Sequence, residues 1–186
     1  MPGSGKTALT REVTAALRAR GTSVRVLELD EIRRVVTPAP TYTDAERDVV
    51  YRALAYMAKL LTEAGVPVLI DATAHRRAWR ELARSLVPAF GEVQLVCPLD
   101  VSREREQRRR AGFAPSGIYA KSGRPAATVP GVDVPYEPSP DPELSLDTTV
   151  GPPAVRVDAV LDLIARLERS ASAALVVQAP TRPLSL

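Results

Sequence analysis

The chain is poor in the residues that build several common kinds of site. It has one cysteine, Cys97, so an intrachain disulfide and a multi-cysteine zinc site are excluded, and such cysteine usage fits a reducing compartment. It has one histidine, His75, with no partners to form a metal set, and His75 reads as a loop residue rather than a ligand. Aromatic residues are only 4%, and a formal net charge of +3 is too small for a nucleic-acid footprint. The balance suits small anionic ligands such as nucleotides. No apolar run approaches the roughly 18 residues of a membrane span, and the N-terminus lacks the apolar stretch of a signal peptide. A cytoplasmic protein with no membrane or nucleic-acid partner is expected, and 186 residues with 45% hydrophobic content suffice for one α/β domain.

The opening residues, "MPGSGKTALT", hold most of a phosphate-binding loop: Gly3, Ser4, Gly5, Lys6 and Thr7 are present. The motif's first glycine and the strand before it are absent. Apolar Leu9, Val13, Ala16 and Leu17 recur at helical spacing as far as Gly21, which is the helix such a loop needs. Backbone N–H groups of Gly3 to Lys6 would nest the phosphates of ATP, Lys6 would neutralise them, and the Thr7 hydroxyl would hold Mg²⁺.

Further along, "SVRVLEL" reads as a strand ending at Asp30, Asp44 to Ala64 as a long helix, and "VPVLIDAT" as a strand delivering Asp71. Arg76 to Leu86, the strand "EVQLVCPL", the arginine-rich "SREREQRRR", a short strand in "ELSLDT" and a helix over Val155 to Arg169 follow. Such alternation predicts a parallel sheet flanked by helices, a three-layer P-loop NTPase fold whose first strand is missing. Residues 1–170 form the kinase domain and 171–186 a tail. The Gly/Pro-rich stretch, about residues 111–142, reads as a lid because it carries Tyr119, Lys121, Arg124 and Tyr136.

Asp30 and Asp71 stand at strand ends, where one of them would hold the Mg²⁺ shell or accept a proton from an attacking hydroxyl. Helix capping is the alternative for either. Arg33, Arg47, Arg77 and Arg80 are candidate clamps for an anionic acceptor, and each is equally compatible with a solvated helix face. Arg105 would stack on adenine or contact phosphate, and Cys97 fills the strand interior.

Three further stretches resemble the adenylylsulfate kinase family. They are "GIYAKSGRPAATVPGVDVPYEPSPDPELSLDT", similar to that family's lid and the segment after it, "LELDEIRR", and "YTDAERDVVYR". The resemblance runs from Met1 to about Arg169. It implies MgATP as donor, adenosine 5′-phosphosulfate as acceptor, transfer to its 3′-hydroxyl in sulfate assimilation, a closing lid and commonly a homodimer. It also implies roles: Lys6 and Thr7 for ATP and Mg²⁺, Asp30 for metal or acceptor hydroxyl, Arg33 and Arg47 for the phosphosulfate, Arg105 on the ATP side, and Lys121 near the transferred phosphate. The chain departs from the family at Ala74, where the family has serine, at Val129 in place of a lid phenylalanine, and at Val50 in place of an asparagine. A kinase of another hydroxyl acceptor and an inactive nucleotide-binding protein are the competing readings. The missing strand implies either a start upstream of Met1, the favoured reading, or a replacement strand from "AALVVQA", residues 173–179.

Overall fold

The computed structural model describes residues 1–108, 117–124 and 127–177, the side chains as far as residue 170. Helix α1 (Lys6–Ala19) leads into β1 (Arg25–Glu28), α2 (Leu29–Val36) and α3 (Asp44–Glu63). Strand β2 (Val68–Asp71), α4 (Arg77–Leu86), β3 (Val93–Val96) and α5 (Leu99–Arg108) follow, then a 3-10 turn at Tyr119–Lys121, β4 (Leu144–Asp147) and α6 (Pro153–Val177).

The strands form two parallel pairs, β1 with β2 and β3 with β4, so the layered α/β expectation holds. No ladder joins the pairs among the described residues, and Ile70 and Val96 are exposed. One core sits between α1 and α6, where Val13, Leu17, Val160 and Leu161 meet Leu69, Val93, Leu144 and Leu146. The other sits on α3 and α4, where Val50, Tyr51, Leu54 and Trp79 cover Leu27. Helices α1 and α3 follow from the heptad-like spacing of their apolar residues, each closed by a positive-φ glycine, Gly21 and Gly65.

Two expectations change. Asp30 does not end a strand: the chain turns helical at Leu29, because Leu29 and Arg33 fall on one buried face of α2, and Asp30 lies in that helix's first turn. The stretch beginning at Ala173 is not a strand either. It continues α6 through Val177, in keeping with the helical preference of its alanines, while residues 178–186 lie outside the described residues. So do Arg109 and Arg110 of the arginine-rich run and lid residues 111–116 and 125–126. No helix among the described residues is long and apolar enough to cross a membrane.

Candidate active site

The part of the phosphate loop that is present leads directly into a helix. Gly3 (φ 74°) and Gly5 (φ 95°) take left-handed conformations, Gly5 caps α1, and the first turn of α1 carries no acidic residue. The dipole of this 14-residue helix, with no acidic residue in its first turn, favours an anion at this end. The loop lies directly on α5: a Cβ at Gly3 would stand 2.0 Å from the Ser102 carbonyl oxygen. Lys6 Nζ donates to the Met1 carbonyl at 2.8 Å, folded over the loop it serves. Thr7, the expected Mg²⁺ ligand, is half-buried in the first turn.

A cavity of about 140 Å³ opens beside the start of α2, lined by Asp30, Arg33, Thr37, Pro40 and Tyr42 among others. Arg33 is buried, with Nη1 2.9 Å from Glu46 Oε1 and its guanidinium 5.1 Å from the Tyr42 ring centre. Glu46 also accepts from the Thr41 N–H at 2.5 Å and the Thr41 hydroxyl at 2.6 Å. Burial opposes its ionisation, but the two Thr41 hydrogen bonds and the Arg33 charge outweigh burial, and the carboxyl is held below its ordinary value. Thr43 caps α3 by accepting from the Glu46 N–H at 3.3 Å. The sequence "TDAE" carried that capping signal. It did not show Tyr42, whose φ of 57° is unusual for a residue with a Cβ and turns the ring toward the cavity.

Arg47 is buried. Its Nε donates to the Tyr42 carbonyl at 3.0 Å, and its Nη2 to the Thr128 carbonyl at 2.9 Å and the Thr128 hydroxyl at 2.7 Å. It thereby ties the Tyr42 end of the cavity to the segment around Thr128, part of the expected lid. That segment reaches the phosphate loop as well, through Tyr119, whose hydroxyl donates to the Pro2 carbonyl at 2.8 Å. Asp133 closes the lid turn, accepting from the Ser122 hydroxyl at 2.7 Å and from the Gly123 and Val129 N–H groups. Lys121 is exposed at the end of the 3-10 turn.

Asp71 ends β2 as expected, is buried, and stands in register with Glu28 at the end of β1. Burial first, and then the Asp71 charge, raise the Glu28 carboxyl above its ordinary value. Glu28 is thus a second acidic group at this edge that the sequence reading passed over. Arg105 is held by Thr148, with Nη1 3.0 Å from its hydroxyl and Nη2 3.0 Å from its carbonyl, and lies 3.6 Å from the buried Cys97 Sγ.

Of the four expected clamps, Arg33 lines the cavity, Arg47 touches its rim only through the Tyr42 carbonyl, and the other two are not gathered there. Arg77 is exposed at the start of α4, while Arg80 is buried against Glu92, with Nε 2.9 Å from Oε1 and side chains 8% and 7% exposed. Arg80 also donates to the carbonyls of Ala74 and Glu137, so it braces the chain after β2 against the segment after the lid. Helical register explains it: Trp79, Arg80 and Ala83 share the buried face of α4. Val129 and Val50, the positions that depart from the family pattern, are both buried packing residues.

The family model for adenylylsulphate kinase matches residues 1–147. The chain belongs to that family. A probable adenylyl-sulfate kinase of Archaeoglobus fulgidus is 33% identical over 147 residues, which are 78% of this chain and 90% of that protein. The bifunctional enzyme NodQ of Azospirillum brasilense is 37% identical over 171 residues, 89% of this chain, and the chain spans about a quarter of its length, 26%. Among solved structures, the Mycobacterium tuberculosis adenylylsulfate kinase CysC in complex with AMPPNP and its sulfated nucleotide superposes with a TM-score of 0.75 at 28% identity, covering 89% of this chain and 93% of that one. This adenylylsulfate kinase family member is a nucleotide-binding P-loop kinase, a phosphotransferase by family.

Proposed function

We propose that the protein transfers the γ-phosphoryl group of MgATP to the 3′-hydroxyl of adenosine 5′-phosphosulfate. The observation that carries the reading is the placement of an anion-binding helix start and an arginine-lined cavity with both tied to one lid segment, by Tyr119 on Pro2 and Arg47 on Thr128. That arrangement suits a reaction in which two nucleotides must be held together with water excluded.

The α1 start and Lys6 bind the donor's phosphates, with Arg105 on the same side and Lys121 brought in by the lid. Arg33 and Arg47 bind the acceptor's phosphosulfate, and Tyr42 offers its ring to the adenine in place of the lid phenylalanine that Val129 does not supply. Asp30, lining the cavity, orients the attacking hydroxyl and takes its proton, with Asp71 behind it at the sheet edge. Arg77 meets the acceptor only by swinging in from the surface. The Thr7 hydroxyl and Asp30 carboxylate are hard oxygen donors of the kind Mg²⁺ takes, and the ion, when bound, neutralises charge on the β- and γ-phosphates. A location in the cytoplasm, where ATP is made available, follows from this reading.

The test is ADP release with adenosine 5′-phosphosulfate, adenosine 5′-monophosphate and gluconate offered separately. Turnover on the phosphosulfate alone is expected. Turnover on gluconate and none on the phosphosulfate would overturn the acceptor.

A further inference from the structure

The chain after β2 is held in a conformation that its residues resist. Ala74 lies at φ 37°, a left-handed value that a residue with a Cβ avoids. Three hydrogen bonds fix it there. The Ala74 N–H donates to the Tyr51 hydroxyl oxygen at 2.9 Å, Arg80 Nη1 donates to the Ala74 carbonyl at 2.5 Å, and the Glu137 N–H donates to the His75 carbonyl at 2.8 Å. A strained turn persists only where its surroundings over-determine it, and what this one fixes is the direction of the next side chain. That side chain is His75, the single histidine of the chain.

The His75 ring is 3% exposed and meets the Trp79 ring edge-on, centroids 5.0 Å apart. Its Nδ1 is buried and has no hydrogen-bond partner among the described residues. A buried ring nitrogen left without a partner is uncommon and calls for an occupant. Arg47, the charge that acts most strongly on His75, is deficient in a complementary way. Its guanidinium is buried, yet its hydrogen bonds go to neutral oxygens of Tyr42 and Thr128, and no carboxylate lies within ion-pair distance of it among the described residues. Arg33, Arg76 and Arg80 each have such a carboxylate. A buried cation with only neutral partners lacks an anion.

The charged groups facing His75 are Asp44 and Arg47 from α3, Arg76 from the turn entering α4, and Glu137 from the segment after the lid. Arg76 is neutralised by Asp44 at 2.5 Å, and Glu137 Oε2 accepts from the Arg77 N–H at 2.7 Å. Arg47 is therefore the charge facing His75 that has no counter-ion among the described residues, and its Nε bond to the Tyr42 carbonyl joins it to a residue that lines the cavity.

The geometry points to His75 as an anion-binding and specificity-determining residue of the acceptor site: its Nδ1–H donates to an oxygen of the acceptor's phosphosulfate while the same anion neutralises Arg47. The inference rests on the acceptor reading proposed above. It also gives the site a pH response. Burial, then Arg47 and Arg76, push the imidazole down to about 4, so the free protein holds it neutral at pH 6 and above. A bound anion reverses that field and raises the value. Anion binding then takes up a proton, and acceptor affinity strengthens as pH falls through the raised value toward the free protein's value of about 4.

One histidine gives one set of imidazole nitrogen resonances, so the test is nitrogen NMR on the full chain. Adenosine 5′-phosphosulfate with MgADP is expected to shift the Nδ1 resonance, and MgADP alone to leave it in place. In kinetics, His75→Phe keeps the ring against Trp79 without the nitrogen, and His75→Asn returns an amide near the Nδ1 position. His75→Phe is expected to raise the phosphosulfate KM at least tenfold, with kcat and the MgATP KM within twofold, and His75→Asn to recover most of the loss. The wild-type KM falls with pH and that of His75→Phe does not. An unshifted resonance in an enzyme that turns over the phosphosulfate overturns the proposal, whether or not the variants fold. If the wild type does not turn over the phosphosulfate, the acceptor reading fails by itself. Titration with adenosine 5′-monophosphate and with inorganic sulfate then decides: a shifted Nδ1 sustains the anion site, and an unmoved one overturns it.

Discussion

Arg80→Met separates a structural arginine from a substrate clamp. Arg80 and Glu92 form a buried pair, 8% and 7% exposed, whose Nε and Oε1 are 2.9 Å apart without hydrogen-bond alignment, so the contact is mainly between charges. The remaining Glu92 oxygen accepts from the Ser139 hydroxyl at 2.7 Å, and Arg80 holds the carbonyls of Ala74 and Glu137. Removing the cation strands a buried carboxylate and releases two carbonyls. Breaking a buried pair from one side costs about 3–5 kcal/mol. That is a large share of the roughly 5–15 kcal/mol that holds a domain of this size together. Replacing both partners, as Arg80→Met with Glu92→Leu, removes the stranded charge and is expected to recover about half of the loss, because the desolvation of both ions is avoided. Urea unfolding followed by circular dichroism measures both variants. Arg80→Lys, which keeps the charge and loses the fork, is the milder control and should cost about 1–2 kcal/mol. A stability loss below about 1 kcal/mol for Arg80→Met, with a raised acceptor KM, would refute the reasoning and restore Arg80 to the substrate.

Gly3→Ala is expected to abolish tight MgATP binding, since its Cβ would stand 2.0 Å from the Ser102 backbone oxygen at a φ of 74°; isothermal titration with MgATP checks it. Tyr42→Leu should raise the acceptor KM by roughly 5- to 150-fold, in line with about 1–3 kcal/mol per stacked base, while Tyr42→Phe stays near wild type in steady-state kinetics. The Arg84 hydrogen bonds hold Glu143 down to about 2. A depressed carboxyl stabilises the fold above its ordinary value of 4.5, and that contribution is lost as pH falls from there toward 2. Thermal melts of wild type and Glu143→Gln should therefore converge between pH 4.5 and 2 and differ at pH 7.

Much of the fold was legible because α1, α3 and α4 announce themselves by apolar spacing and because each strand is a short apolar run. Asp30 was misplaced for a local reason: "LELDEIRR" alternates like a strand up to the residue where a buried Leu29 and Arg33, four apart, make it a helix. The last helix was ended too early, at Arg169, because "ALVV" taken alone is ambiguous, whereas the helix already running from Pro153 extends through it. Of the residues proposed for the site, Lys6, Asp30, Arg33 and Arg47 were visible as motif residues. Tyr42 and His75 were not, because their directions are set by positive φ at Tyr42 and Ala74, and neither residue is a glycine that would advertise it. Arg80 and Arg77 look alike in the sequence, and only the face of α4 on which each falls separates a brace from a surface group.

The central claim is tested most directly by where the phosphoryl group goes. The full chain is incubated with ATP, Mg²⁺ and adenosine 5′-phosphosulfate, and the product is analysed by phosphorus–proton correlation NMR. The account predicts a single new phosphate coupled to the ribose H3′, formed with stoichiometric ADP. A product phosphorylated elsewhere, or ATP bound with the phosphosulfate unchanged, would contradict it.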